Sequence, residues 1–271
     1  MISNDFRKQV QAGDIISLYT KHGLGLVRTT DADLVDCVMY AVTKEYIENN
    51  IIANIDKSTI LVPNKKDTHL SALIEPKDIK QLLIDINLIG EKFKSDISTI
   101  FIFKLIPYVF VRSDNIRLMC WENIDLEKGI WTIPKEKMKM KVDFVCPLPT
   151  QAIYILKQIE PFSRHKSKFV FPSPYKNDRG VSGATLSNTL NKLGYQDKHT
   201  FHGFRSMFST IAHELYKEHG FHSDIIEACL AHKEKNRVKA SYNRESKFKY
   251  FEEKKELVQW YADRLDKLIE I

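Results

Sequence analysis

Apolar positions along the chain first settle into a helical stripe at Leu34, Val35, Val38, Val42, Tyr46 and Ile47, behind Thr30 and Asp33, which resemble a capping box. The stripe dissolves in VPNKKDTHLSALIEP (62–76), a polar, turn-forming stretch without an apolar period that reads as a linker. Pro76, suited to a first helical position, opens a helix to about Gly90, and a second, buried helix follows from about Ser95. The apolar run from Ile97 to Val111 is too short to span a bilayer and contains Lys104 and Pro107, so it belongs to a core. After helical SDNIRLMCW (113–121) the period changes. GIWTIP (129–134) and KVDFVCPL (141–148) are short, β-branched and aromatic, and the lysine-rich KEKMKM (135–140) separates them as the turn of a hairpin. From about Pro149 helices return, with Ser182 and Ser223 as N-caps and Gly194 and Gly220 as the glycines after helix ends. The closing ELVQWYADRLDKLIEI (256–271) is amphipathic, and no repeat of 20 to 50 residues is visible. These elements predict a mainly α protein with one small antiparallel β-sheet, an α+β fold. It divides into a helical region at 1–61, a linker at 62–75 and a larger domain at 76–271.

Composition adds that the chain folds: 43% hydrophobic with 28% charged residues is the balance of an ordinary globule. The net charge of +6 matters because of where it sits. Residues 232–249 hold seven basic side chains, at 233, 235, 237, 239, 244, 247 and 249, against Glu234 and Glu245, which points to an anionic partner. The four cysteines form no CxxC pair, so neither a disulfide framework nor a zinc site is expected. Among nine histidines, the HxxH pairs His199/His202 and His219/His222 lack an acidic companion, and His213-Glu214 lacks a second histidine one turn on; no metal is expected. GxxxxGK[ST] and GxGxxG are both missing, HGLGLVR (22–28) being a glycine-containing turn, so ATP-driven chemistry and a nucleotide cofactor are not supported. The opening MISNDFRKQVQAGD lacks the apolar core of a secretory signal, and the expected location is the cytoplasm, with no membrane association.

Several side chains suit chemistry on a phosphodiester. LAHKEKNRVKASYNR (230–244) places His232 and Tyr242 inside the basic run. Upstream stand Arg112, Lys139 in the hairpin turn, and His202 with Arg205, three apart and so on one face of a helix. A tyrosinate is a competent nucleophile, but a phenol with a pKa of about 10 needs a base or cation beside it, which histidine supplies. Two arginine forks match the non-bridging oxygens of a phosphate, and a lysine on a turn can protonate a leaving oxygen. Taken singly, each has a structural reading: HxxR as a chance pair, His232 as a helix C-terminal cap, and Tyr242 as one of eleven tyrosines on a solvated helix.

In order and surroundings these residues resemble the tyrosine recombinases, particularly phage and genomic-island integrases. The matching text is FVRSDNIRLMCWENIDLEKGIWTIPKEKMKMK, the HGFR stretch, CLAHKEKNRVKASYNR and ELVQWYADRLDKL. The resemblance puts the family's catalytic residues on Arg112, Lys139, His202, Arg205, His232 and the nucleophile Tyr242. It implies site-specific DNA recombination through a 3′-phosphotyrosyl intermediate without metal or ATP. The implied partner is double-stranded DNA, bound by a homo-tetramer assembled from a protein that is monomeric in solution. The closing helix then docks either on a neighbouring subunit or on its own core. VMYAVTKEYIENNIIANI (38–55) resembles the end of the family's core-binding domain, so the region ahead of the catalytic fold is a shortened, partial version of it. Asn115 stands where the family usually has an acid, three positions after its first arginine. Lys137 and Lys141 flank Lys139 at spacing two, and on a regular hairpin all three share a face; only the resemblance selects Lys139. Lys137, Lys141, Lys233, Lys235, Arg237, Lys239 and Arg244 are the expected DNA contacts. Two other functions fit the same residues: a truncated integrase relative that binds DNA without completing recombination, and relaxation of DNA in the manner of a type IB topoisomerase.

Overall fold

Pro76 begins a helix, α1 (Pro76–Asn87), at a position where a missing N–H costs nothing. Ile79, Leu82, Leu83 and Ile86 then fall on one buried stripe. This helix belongs to a compact unit running from Leu70 to Ile271. The computed structural model describes residues 71–138, 141–232 and 250–270, together with 42–45, 48 and 248. The capping box at Thr30 and Asp33 lies outside the described residues. Asp85 is buried on α1 and accepts from Lys92 Nζ at 2.5 Å, Tyr195 Oη at 2.7 Å and Gln81 Nε2 at 3.2 Å. Burial alone would raise its pKa, but the three donors together hold the carboxyl below its ordinary value.

The helix expected to reach Gly90 is interrupted at Leu88 and resumes as the single turn α2 (Ile89–Lys92). Asp96 caps α3 (Ile97–Leu105), accepting from the Ser98 amide at 2.9 Å. The apolar run to Val111 is therefore not one helix. A 3-10 turn at Ile106–Tyr108 follows, with Pro107 unable to donate, and buried Val109, Phe110 and Val111 lead to Arg112 at the start of α4 (Ser113–Arg117).

The hairpin forms as predicted and gains a third strand. β1 (Ile124–Asp125), β2 (Ile130–Ile133) and β3 (Phe144–Pro147) make an antiparallel sheet in that order, with Trp131 opposite Cys146 and Ile133 opposite Phe144. Alternation along β2 sends Trp131 and Ile133 into the core. Helices α5 (Thr150–Ser163) and α6 (Gly183–Lys192) follow. Ser182 caps α6 by accepting from the Thr185 amide at 3.1 Å, and Gly194 leaves it at φ +89°. Next come α7 (Gly203–Glu214) and the turn α8 (Tyr216–His219), which ends at Gly220 with φ +76°. In α9 (Ser223–Cys229) the N-cap is His222 rather than Ser223, and no side chain caps the helix.

The final helix, α10 (Phe251–Glu270), lies on its own chain, against α1, α9 and β3, and buries Leu257, Val258, Tyr261, Ala262 and Leu265. Its first turn is pinned by Lys254, 2% exposed, which donates to the Val145 carbonyl at 2.8 Å and sits 4.9 Å over the Phe144 ring. Burial lowers the pKa of that ammonium. Phe110 and Phe208 stack at 3.6 Å, and Tyr261 meets both edge-on at 5.1 Å. This aromatic trio joins the segment before Arg112, the helix carrying Arg205, and α10. Among the described residues no helix is long and apolar enough to cross a membrane.

Candidate active site

The site is built on the first turn of α7. Ser71 and Leu73 clamp that turn from outside: the Leu73 amide donates to His199 Nδ1 at 3.0 Å and the Thr200 amide donates to the Ser71 carbonyl at 3.1 Å. The approach needs a glycine at 203, where a Cβ would lie 2.8 Å from the Ser71 oxygen. His199 is 2% exposed, and burial lowers its pKa to about 4. Nδ1 of this neutral ring is occupied by the Leu73 amide, while Nε2 is buried without a hydrogen-bond partner among the described residues. Among the described residues, moreover, no group of three His, Cys, Asp or Glu side chains is placed to hold a metal.

His202, the residue before α7, is exposed, while Arg205 one turn later is only 5% exposed. The Arg205 fork meets the protein through both of its terminal nitrogens. Nη1 donates to the Phe110 carbonyl, and Nη2 donates to the Leu230 carbonyl at 2.8 Å and faces His232 Nε2 at 3.2 Å. Burial, and then the charge of Arg112, push the Arg205 pKa down to about 10, against the pull of Cys146 and Glu227. The side chain still carries its charge at neutral pH. His202 has its pKa lowered by partial burial first, and then by the charges of Arg205 and Arg112. Four of the six residues, Arg112, His202, Arg205 and His232, are thus brought within electrostatic reach of one another. Two guanidinium groups in one place repel, and an anion between them relieves the repulsion.

His232 is delivered by the end of α9. The His232 amide donates to the Glu227 carbonyl at 3.1 Å and the Ala231 amide to the Ala228 carbonyl at 3.2 Å, the paired bonds of a Schellman turn, with Ala231 left-handed at φ +50°. The ring folds back so that Nδ1 lies 2.7 Å from Glu227 Oε2. Glu227 went unnoticed in the sequence because it lies five positions before His232, a spacing that shares no helical face.

Asn115, in the place of the family's acid, is buried and donates to the Lys137 carbonyl at 3.2 Å, tying α4 to the hairpin turn. Neighbouring Asp114 pairs with Arg117 at 2.7 Å, and among the described residues no carboxylate pairs with Arg112. Lys137 closes a 3-10 turn (Lys135–Lys137) and donates to the Leu118 carbonyl at 3.3 Å, while Lys141 has φ +53°. The regular strand on which lysines at spacing two share a face is therefore absent at both described positions. Lys139, Tyr242, Lys233, Lys235, Arg237, Lys239 and Arg244 lie outside the described residues. The buried thiols are not rival nucleophiles: burial raises the Cys146 pKa to about 12 and moves Cys229 the same way.

The chain is similar to known proteins. Residues 72–248 match the model of the phage integrase family. The chain is 37% identical over 143 residues to Prophage integrase IntA of Escherichia coli (strain K12), covering 53% of this chain and 33% of that protein. It is 29% identical over 287 residues to the Integrase of Enterobacteria phage P4, covering 95% of this chain and 61% of that protein. The chain thus spans less than two thirds of the length of these curated relatives. Among solved structures, the fold is similar to a lambda integrase tetramer bound to a Holliday junction, with a TM-score of 0.57 and 16% identity over 84% of this chain and 66% of that one.

Proposed function

The chain belongs to the phage integrase family, and from that premise we propose that it is a tyrosine-type site-specific recombinase that cuts and rejoins double-stranded DNA. The observation that carries this reading is the gathering of Arg112, His202, Arg205 and His232, from three separate segments, around one site rich in positive charge. In it the two arginines hold the non-bridging oxygens of one backbone phosphate. The Tyr242 oxygen attacks phosphorus, its proton passing to a histidine; the bond to the 5′ oxygen breaks, and Lys139 protonates that oxygen. The 3′-phosphotyrosyl link conserves the bond energy, so a 5′ hydroxyl from a partner strand reverses the step with neither metal nor ATP. The basic residues Lys137, Lys141, Lys233, Lys235, Arg237, Lys239 and Arg244 follow the DNA backbone. A homo-tetramer on two DNA sites is the working assembly, and the protein is cytoplasmic.

We read residues 1–61 as a helical core-binding region, 62–75 as a linker and 76–271 as the catalytic domain; the family match runs from residue 72, within the proposed linker, to residue 248. The decisive test selects a binding site from random duplexes by retention on the protein, then presents it as a nicked suicide substrate. The expected result is a covalent protein–DNA adduct on a denaturing gel that Tyr242→Phe abolishes. Retention of DNA with no adduct on the selected site would replace the recombinase by a DNA-binding relative. Plasmid relaxation without site preference would replace it by a topoisomerase.

A further inference from the structure

We infer that Glu227 is a positioning residue for His232, fixing its tautomer and turning Nε2 toward the site shared with Arg205; this rests on the strand-transfer reading above. Two contacts on opposite edges of the ring carry the inference. Nε2 lies 3.2 Å from Arg205 Nη2, and a guanidinium nitrogen can only donate, so Nε2 is the acceptor. The remaining ring proton then sits on Nδ1, which donates to Glu227 Oε2 at 2.7 Å. Both neighbours demand the same tautomer.

The ring needs such a clamp because it is otherwise poorly held. The His232 side chain is 43% exposed, and it follows a residue in the left-handed region at the end of a helix of seven residues. The Schellman turn brings its backbone back over Glu227, and the carboxylate does the same for the ring. The second carboxylate oxygen, Oε1, lies 3.8 Å from His213 Nε2 on α7. His213 is itself anchored by Nδ1 at 2.7 Å from the Ser209 carbonyl. Glu227 therefore stands between the helix that carries Arg205 and the turn that carries His232. When a phosphate takes over the Arg205 hydrogen bond, Nε2 is left facing the reacting groups with a free lone pair.

The test uses the full chain. Long-range proton–nitrogen spectra of histidine-labelled, DNA-free protein are expected to show His232 at neutral pH with Nδ1 protonated and Nε2 as a lone-pair nitrogen. Glu227→Ala should give a tautomer mixture, and adduct formation on the selected nicked duplex should slow on the order of tenfold to a hundredfold, the usual effect of losing an orienting partner, with DNA retention unchanged. Glu227→Gln keeps an acceptor for Nδ1–H and should recover part of the rate, whereas a merely lost helix contact would leave both variants with the wild-type tautomer. An Nε2-protonated ring in the wild type overturns the proposal, as does a Glu227→Ala adduct rate within twofold of wild type. Should Glu227→Ala fail to fold, a Gln variant with wild-type rate and mixed tautomer overturns it too. If the wild type forms no adduct, the recombinase reading falls, and the spectra alone uphold or overturn the clamp.

Discussion

Acidification from about pH 7.5 to about pH 4.5 crosses the range in which a histidine in an unfolded chain takes up a proton and His199 does not. His199 is sealed in the fold with Nδ1 accepting the Leu73 amide, so protonation would both bury a charge and set two donors against each other. Its pKa falls from 6.5 to about 4. The sign follows from linkage: with the folded value below the unfolded one, the contribution is complete above pH 6.5 and is lost as the pH falls toward the folded value. At about 1.4 kcal/mol per pH unit, the loss is capped at roughly 3 kcal/mol, most of it reached by about pH 4.5. Urea unfolding of the wild type and of His199→Gln at the two pH values isolates this contribution, because other groups that titrate in the range, His202 among them, cancel in the difference. The variant should lose about 2–3 kcal/mol less than the wild type on acidification. Equal losses within about 0.5 kcal/mol would refute the reasoning and mean that the ring is solvated or already protonated in the fold.

Much of the fold was legible because periodicity reports burial directly. The start of α1 at Pro76, the hairpin of β2 and β3 and the Ser182 cap are each local, and each was recovered in place. What was missed is short or non-local. A two-residue strand such as β1 has no period, and at Leu88 and at Ile106–Tyr108 the apolar positions continue across the break in the helix. Amphipathicity said that the last helix buries one face but not against what; the structure gives it the chain's own core.

The candidate site divides in the same way. The resemblance drew attention to residues scattered from 112 to 242, and the structure gathers the four it describes there. The groups that hold them in place were silent, since the Phe110 and Leu230 carbonyls carry no side-chain signal and Glu227 and His199 act through contacts across a turn or across the chain. His199 showed only as half of an HxxH pair, a spacing that a metal and a clamp have in common.

Two further outcomes follow from single buried groups. The Tyr261 hydroxyl has no hydrogen-bond partner among the described residues although its ring is packed against Phe110 and Phe208, so Tyr261→Phe should raise stability by about 1 kcal/mol in urea unfolding. A drop of similar size would mean that the hydroxyl is bonded after all. Ala231 holds the left-handed position of the Schellman turn, at φ +50°, a conformation that costs an L-residue about 1–2 kcal/mol and glycine almost nothing. Part of that relief is offset by the greater freedom of glycine in the unfolded chain, so Ala231→Gly should stabilise by about 1 kcal/mol or less, while Ala231→Val should destabilise. The same pair separates the turn from the chemistry. If the turn only has to form for His232 to reach Glu227 and Arg205, the glycine variant keeps the wild-type adduct rate. A slower glycine variant of raised stability would instead mean that the stiffness of alanine at this position aims the ring.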